Sequence, residues 1–298
     1  MIVTKNVSKS FEGFEALKNV SLSVERGSIY GLVGSNGAGK TTLLKLLSGI
    51  YKQDSGEVYI DNNEVYENID IKSDMIFMPD TLYFFAQYTI KEMAKFYKRI
   101  YKNWNEERFE KLEEVFNINI NKRISSLSKG MQRQVAFWLS LSTMPKIMIL
   151  DEPVDGLDPV MRKKIKNLII QDVAEREMTV FISSHNLREL EDICDHIGIL
   201  HKGSMVIQKD LDDLKSDIHK IQVAFNKMPK DTLEEIDILY NEERGSIVLL
   251  IVRGKKETII SNLEKYDPKI LDILPLTLEE IFIYEMGGIG YEIENIIV

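Results

Sequence analysis

The run Gly34, Ser35, Asn36, Gly37, Ala38, Gly39, Lys40 and Thr41, continued by Thr42, restricts what this chain can fold into more than any other stretch. It follows a short apolar run with strand character, Ser28 to Val33. It precedes Leu43, Leu44, Leu46 and Leu47, which recur at helical spacing. Strand, glycine-rich turn and helix in that order form a cradle for a polyphosphate, which needs convergent N–H donors, a cation and a metal ion. Gly34, Gly37 and Gly39 allow backbone torsions that residues with a Cβ avoid, so successive amides can point inward at an anion. The helix that begins here aims the positive end of its dipole at the same spot. Lys40 would reach the β- and γ-phosphates, and the Thr41 hydroxyl would ligate Mg²⁺.

A chain of 298 residues implies about two domains, enough to bury a full-sized core. With 38 basic against 47 acidic residues the net charge is -9, which disfavours broad contact with nucleic acid. The one cysteine, Cys194, leaves no disulfide framework or cysteine zinc cluster, and a reducing cytoplasm fits. The first residues show no secretory apolar region, and runs such as Ile247 to Val252 fall short of the ~18 apolar residues that span a bilayer. If the protein acts at a membrane, another polypeptide is expected to cross it.

The first thirty residues alternate apolar and polar positions, as in Ile2, Val7, Val20, Leu22 and Val24, and read as antiparallel strands. Phe11 sits in that sheet, as a rim aromatic or as a ring that stacks on adenine. Met93, Phe96, Tyr97, Ile100, Tyr101 and Trp104 follow the spacing of one amphipathic helix, and Phe109, Leu112 and Phe116 that of a second. Tyr83, Phe84, Phe85 and Tyr88 lie in a loop-like segment ahead of them, where exposed aromatics point to a partner surface. Ser128 caps the next helix, and with Gly130 it makes a second small anion site at a helix N-terminus.

Lys146 to Leu150 suits a strand buried on both faces of a parallel sheet, and it ends in Asp151 and Glu152, where open α/β sheets bind ligands. Asp151 is placed to hold the metal and Glu152 to orient and deprotonate a water. Asp158 precedes Pro159 at a helix start, where it suits an N-cap. His185 follows a further strand, Thr179 to Ser183, and would face the γ-phosphate. Beyond Asp210 strands and helices alternate in a small α+β unit without a motif for chemistry.

Taken together these motifs resemble the ATP-binding cassette (ABC) ATPases, over roughly residues 1 to 208 and in the family's order. Gly34 to Thr42 looks like the Walker A motif, Ile147 to Glu152 like Walker B, and Leu127 to Met131 like the family signature. Gly156 to Asp158 resembles the D-loop, His185 the switch histidine, and Phe11 the adenine-stacking aromatic. The family usually has Gln where Asp80 stands, a position that senses Mg²⁺ and water, and Gly and Gln where Lys129 and Met131 stand. Within the family the chain is similar to bacterial ABC-2-type subunits of the Ytr group, linked to acetoin use or envelope stress.

The resemblance implies an α/β P-loop NTPase with a mixed, parallel-core sheet, an N-terminal antiparallel subdomain and a helical subdomain at about 80–143. The cassette would cover 1–209 and a small α+β domain 210–298. It further implies a Mg²⁺-dependent ATPase, peripheral on the cytoplasmic face of the membrane. Two subunits, identical or not, would sandwich ATP head to tail, and Ser128, Gly130 and Asp158 would contact the nucleotide across the interface. Hydrolysis would drive a separate permease. The competing expectations are a soluble ABC protein acting on ribosomes or DNA, and a regulatory module that only binds ATP.

Overall fold

The structure is a computed structural model that describes residues 1–225 and 236–288. Its elements run β1 (Ile2–Phe11), β2 (Phe14–Val24), β3 (Ile29–Val33), α1 (Lys40–Leu47), β4 (Ser55–Ile60), β5 (Asn63–Glu64), α2 (Ile69–Ser73) and β6 (Met75–Met78). Then come α3 (Ile90–Ile100), α4 (Glu106–Phe116), α5 (Lys129–Ser142), β7 (Ile147–Asp151), α6 (Pro159–Arg176), β8 (Thr179–Ser184), α7 (Leu187–Glu191), β9 (His196–His201) and β10 (Ser204–Asp210). The chain divides into two compact units, Met1–Gln208 and Lys209–Val298.

In the first unit, β2-β1-β4-β5 form an antiparallel sheet. A second sheet has the order β10-β9-β3-β8-β7-β6, and every pairing from β9 to β6 is parallel. Strands β3, β7 and β8 are buried at every position, as their unbroken apolar character requires of strands covered on both faces. Leu43, Leu44 and Leu47 of α1 join Tyr30, Ile149 and Phe181 of these strands in one core with Ile2, Val20 and Val58 of the antiparallel sheet. Register sets the working edge: Val33 lies beside Ser184, and Asp151 beside Ser183, so the carboxyl ends of β3, β8 and β7 are adjacent.

A capping box of Thr89 and Glu92 starts α3, and it ends sooner than its apolar spacing predicts. Tyr101 is extended (φ -95, ψ 110), so Trp104 lies outside the helix. Trp104 belongs with α4 instead: its indole N–H donates to Glu106 at 2.9 Å and its ring packs on Phe109 at 5.3 Å. A local hydrogen bond and ring contact outweigh the periodic spacing. Trp138 of α5, fully buried, stacks on Phe109 and Phe116 and locks α4 to α5.

The second unit contains α8 (Leu211–Ser216), β11 (Ile218–Ala224), β12 (Asp237–Arg244), β13 (Ile247–Arg253), α9 (Lys256–Glu264), β14 (Ile270–Leu274) and α10 (Leu278–Gly288). Its antiparallel sheet, ordered β12-β13-β11-β14, packs Ile221, Val223, Leu250 and Val252 with Ile259 and Leu263 of α9. Among the described residues no helix is long and apolar enough to cross a membrane.

Candidate active site at the carboxyl edge of the parallel sheet

Gly37 and Gly39 have left-handed φ values of 79 and 106. Gly34 needs its missing side chain for a different reason from the one expected: its φ is unexceptional, but a Cβ there would lie 2.4 Å from the Leu200 carbonyl oxygen. Ser35, Asn36 and Gly37 are exposed, Ala38 is buried, and Thr42 is half-buried in the first turn of α1. Lys40 is 6% exposed, and its ammonium donates to Gly34 O at 2.7 Å and Ser35 O at 3.4 Å, folding back over the loop.

From β7, Asp151 is 2% exposed and accepts from the Thr41 hydroxyl at 2.7 Å and the Ser183 hydroxyl at 2.6 Å. Glu152 takes the left-handed region at φ 46, uncommon for a residue with a side chain. Its N–H donates to Ser183 O and to Ser183 Oγ, both at 3.2 Å. Its carboxylate meets Lys40 Nζ at 3.3 Å and His185 Nδ1 at 2.9 Å, and the His185 backbone N–H at 3.2 Å. Asp155, Glu152 and His185 each offer a ligand atom within 4.8 Å of the others. Glu189, buried behind Ser184, is held above the usual carboxylate range by desolvation; Asp155 adds to this, while the 2.8 Å pair with Arg162 opposes it.

Lys40, Thr41, Asp151, Glu152 and His185 therefore meet in one hydrogen-bonded network. Phe11, Ser128, Gly130 and Asp158 lie outside it. Phe11 ends β1, 38% exposed, with its ring edge-on to Tyr51 at 5.3 Å. Ser128 is exposed and accepts from Met131 N as the cap of α5. Asp158 is exposed and caps α6 by accepting from Val160 N and Met161 N. Gly130 lies against the 155–158 loop, where a Cβ would meet Gly156 O at 2.6 Å.

Asp80, expected among the metal residues, is exposed and lies beside Arg133: its Oδ1 accepts from Arg133 Nη2 at 3.3 Å and its carbonyl from the same nitrogen at 2.7 Å. The sequence reading passed over Ser183 and Arg133. The signal for Arg133 was its place with Phe137 and Ser140 at i, i+4 and i+7 on a buried face of α5. Ser183 stands two positions before the histidine, on a strand where only the partner's register reveals what it faces.

The ABC transporter family matches residues 17–155 of this sequence. The ABC transporter ATP-binding protein YtrB of Bacillus subtilis (strain 168) is 35% identical over 288 residues, covering 97% of this chain and 99% of that protein. The chain belongs to the ATP-binding subunits of ABC transporters. The family also includes the bacitracin transport ATP-binding protein BcrA of Bacillus licheniformis, 31% identical over 72% of this chain and 71% of its own length. A bacterial ABC transporter cassette solved as a dimer superimposes with a TM-score of 0.65 at 26% identity, over 71% of this chain and 99% of its own. Members of this family bind and hydrolyse ATP, and one cassette has been solved in a post-hydrolysis state with ADP and phosphate.

Proposed function

We propose that this chain hydrolyses ATP between two subunits and passes the resulting movement to a separate membrane permease. The observation that carries the reading is Glu152, fixed at the end of β7 between Lys40 and His185, beside the buried Asp151–Thr41 pair. Lys40 and the loop amides bind the β- and γ-phosphates, and Phe11 stacks on the adenine. The Thr41 hydroxyl and Asp151 carboxylate are hard oxygen donors 2.7 Å apart, a set that suits magnesium. Magnesium held by Thr41 and Asp151 would supply positive charge against that building on the phosphates.

Glu152 accepts a proton from the attacking water, and His185 orients it by donating its Nδ1–H and backbone N–H to the Glu152 carboxylate. Ser128 and Gly130, exposed or half-buried away from this network, serve the nucleotide of the other subunit, and Asp158 lies at the same interface. ATP then holds the pair together, and its hydrolysis releases it. The exposed aromatics after Asp80 face the permease.

Steady-state phosphate release by the purified chain tests the reading. Glu152→Gln is expected to bind ATP with Mg²⁺ and lose roughly 10²-fold or more of its turnover. Turnover near wild type in that variant would remove Glu152 from the role of base. Calorimetry of Lys40→Ala should show nucleotide binding lost; retained affinity would contradict the phosphate assignment.

A further inference from the structure

We infer that Arg133 is a positioning residue that couples Asp80, at the start of the aromatic loop, to the backbone of Glu152. The inference rests on Glu152 being the base.

The backbone of Glu152 sits in a region that costs a residue with a Cβ on the order of 1 kcal/mol, so something must hold it there. Its N–H is fixed by Ser183. Its C=O accepts from Arg133 Nη1, while Nη2 of the same guanidinium donates to both the carbonyl and the carboxylate of Asp80. Arg133 is 8% exposed, so its guanidinium is fixed by the groups around it, and its bond to the Glu152 carbonyl is better shielded than the one to the exposed Asp80 carboxylate. One planar fork thus grips the peptide after the base with one nitrogen and the first turn of the loop with the other.

The geometry has a direction. Asp80 is exposed, and the residues that follow it include Tyr83, 87% exposed, with Phe85 and Tyr88 also open to solvent. Arg133 rides on α5 in its second turn, five positions after the Ser128 cap. A pull on the aromatic loop moves Asp80, Asp80 shifts the guanidinium, and the Glu152 carbonyl must follow or lose its donor. A displacement of the peptide swings the carboxylate away from the water it activates. A misplacement of about 1 Å at a reacting group costs up to about 10²-fold in rate, so a small motion suffices.

The test uses the full chain with ATP and Mg²⁺. Arg133→Lys keeps the charge but offers one ammonium where two separated nitrogens are needed. We expect kcat to fall about tenfold. KM should stay within about threefold and the thermal midpoint close to wild type, since nucleotide contacts and packing are retained. Asp80→Ala should lower kcat less, because its backbone carbonyl remains for Arg133. Combining the two should be no worse than Arg133→Lys alone, since both act through one clamp.

Turnover of Arg133→Lys within about twofold of wild type overturns the inference. So does a kcat loss matched by a raised KM and a lowered midpoint, which marks a structural role. Multiplying effects in the double variant overturn the link to Asp80. Glu152→Gln is measured alongside: if it loses turnover while Arg133→Lys does not, only the coupling fails. If Glu152→Gln keeps turnover, the base assignment itself fails.

Discussion

A methyl group added at Gly34 would sit 2.4 Å from the Leu200 carbonyl and 3.0 Å from Ala38 Cβ, so β3 and β9 would have to part to admit it. Gly37 meets nothing within 4 Å, and an added Cβ there suffers only from its φ of 79. Gly34→Ala is therefore expected to cost roughly 1–3 kcal/mol, against about 1 for Gly37→Ala, in urea titrations of the two variants. Equal losses would mean torsion, not space, governs both positions. Tyr30 gives the opposite sign. It is fully buried, stacked on Phe181 at 4.9 Å, and its hydroxyl has no protein hydrogen-bond partner while burial raises its pKa. Removing a buried, unpaired hydroxyl should stabilise, so Tyr30→Phe is expected to raise the unfolding free energy by about 1 kcal/mol. A loss of stability would point to a partner for that hydroxyl. These cases show how far residues can be read alone. The sequence marked Gly34 because the phosphate loop is local, but the Leu200 carbonyl that makes glycine obligatory lies far along the chain. Arg133 and Ser183 were illegible for the same reason, since each acts on a group brought in by another strand or loop.

Elements of the helical region are tied to the rest of the first unit by charges, not by apolar contact alone. Asp172 of α6, 1% exposed, accepts from Arg108 of α4 at 2.8 Å and from Arg176 at 2.9 Å. Asp172→Ala would leave two guanidinium groups without their shared partner, and a loss of roughly 3 kcal/mol in denaturant unfolding is expected. A loss under about 1 kcal/mol would show the pair to be solvated. Asp74, between α2 and β6, gathers Lys146 at 2.8 Å, Lys102 at 3.6 Å and Asn103 at 2.8 Å. Burial by itself would raise its pKa, but the Lys146 hydrogen bond and charge, the Lys102 charge and the Asn103 amide prevail and hold it below the usual carboxylate range. A depressed carboxylate stabilises the fold above its unfolded pKa of about 3.9 and stops doing so as pH falls through its folded value. The stability gap between wild type and Asp74→Asn should thus be constant from neutral pH down to about 5 and close below about 4. A gap that widens with acid would reverse the sign. The strands were legible because β3, β7 and β8 are uniformly apolar, and α3 because Met93, Phe96, Tyr97 and Ile100 keep helical spacing. The end of α3 was not, since Trp104 continues the apolar spacing yet answers to Glu106 and Phe109.

At the scale of the molecule, what matters is which groups one chain leaves unused. Lys40, Thr41, Asp151, Glu152 and His185 satisfy one another at the edge of a single sheet, while Ser128 stands exposed at the head of α5 with only its own helix to cap. On the reading proposed above, that end of α5 receives the nucleotide of a second copy. Ser128→Asp tests this without disturbing the helix, because aspartate caps an N-terminus as well as serine and suits its dipole. The variant should keep the thermal midpoint and bind one ATP per chain as wild type does. The added carboxylate would, however, face the partner's γ-phosphate, and like charges at about 4 Å repel by several kcal/mol at an interface of intermediate dielectric. In the Glu152→Gln background with ATP and Mg²⁺, light scattering should report about twice 34.4 kDa, and the added Ser128→Asp should return it to 34.4 kDa. In the otherwise wild-type chain the same substitution should abolish turnover. Persistence of the dimer, with turnover intact, would move the partner's phosphates away from α5 and leave the exposed serine as a helix cap and nothing more.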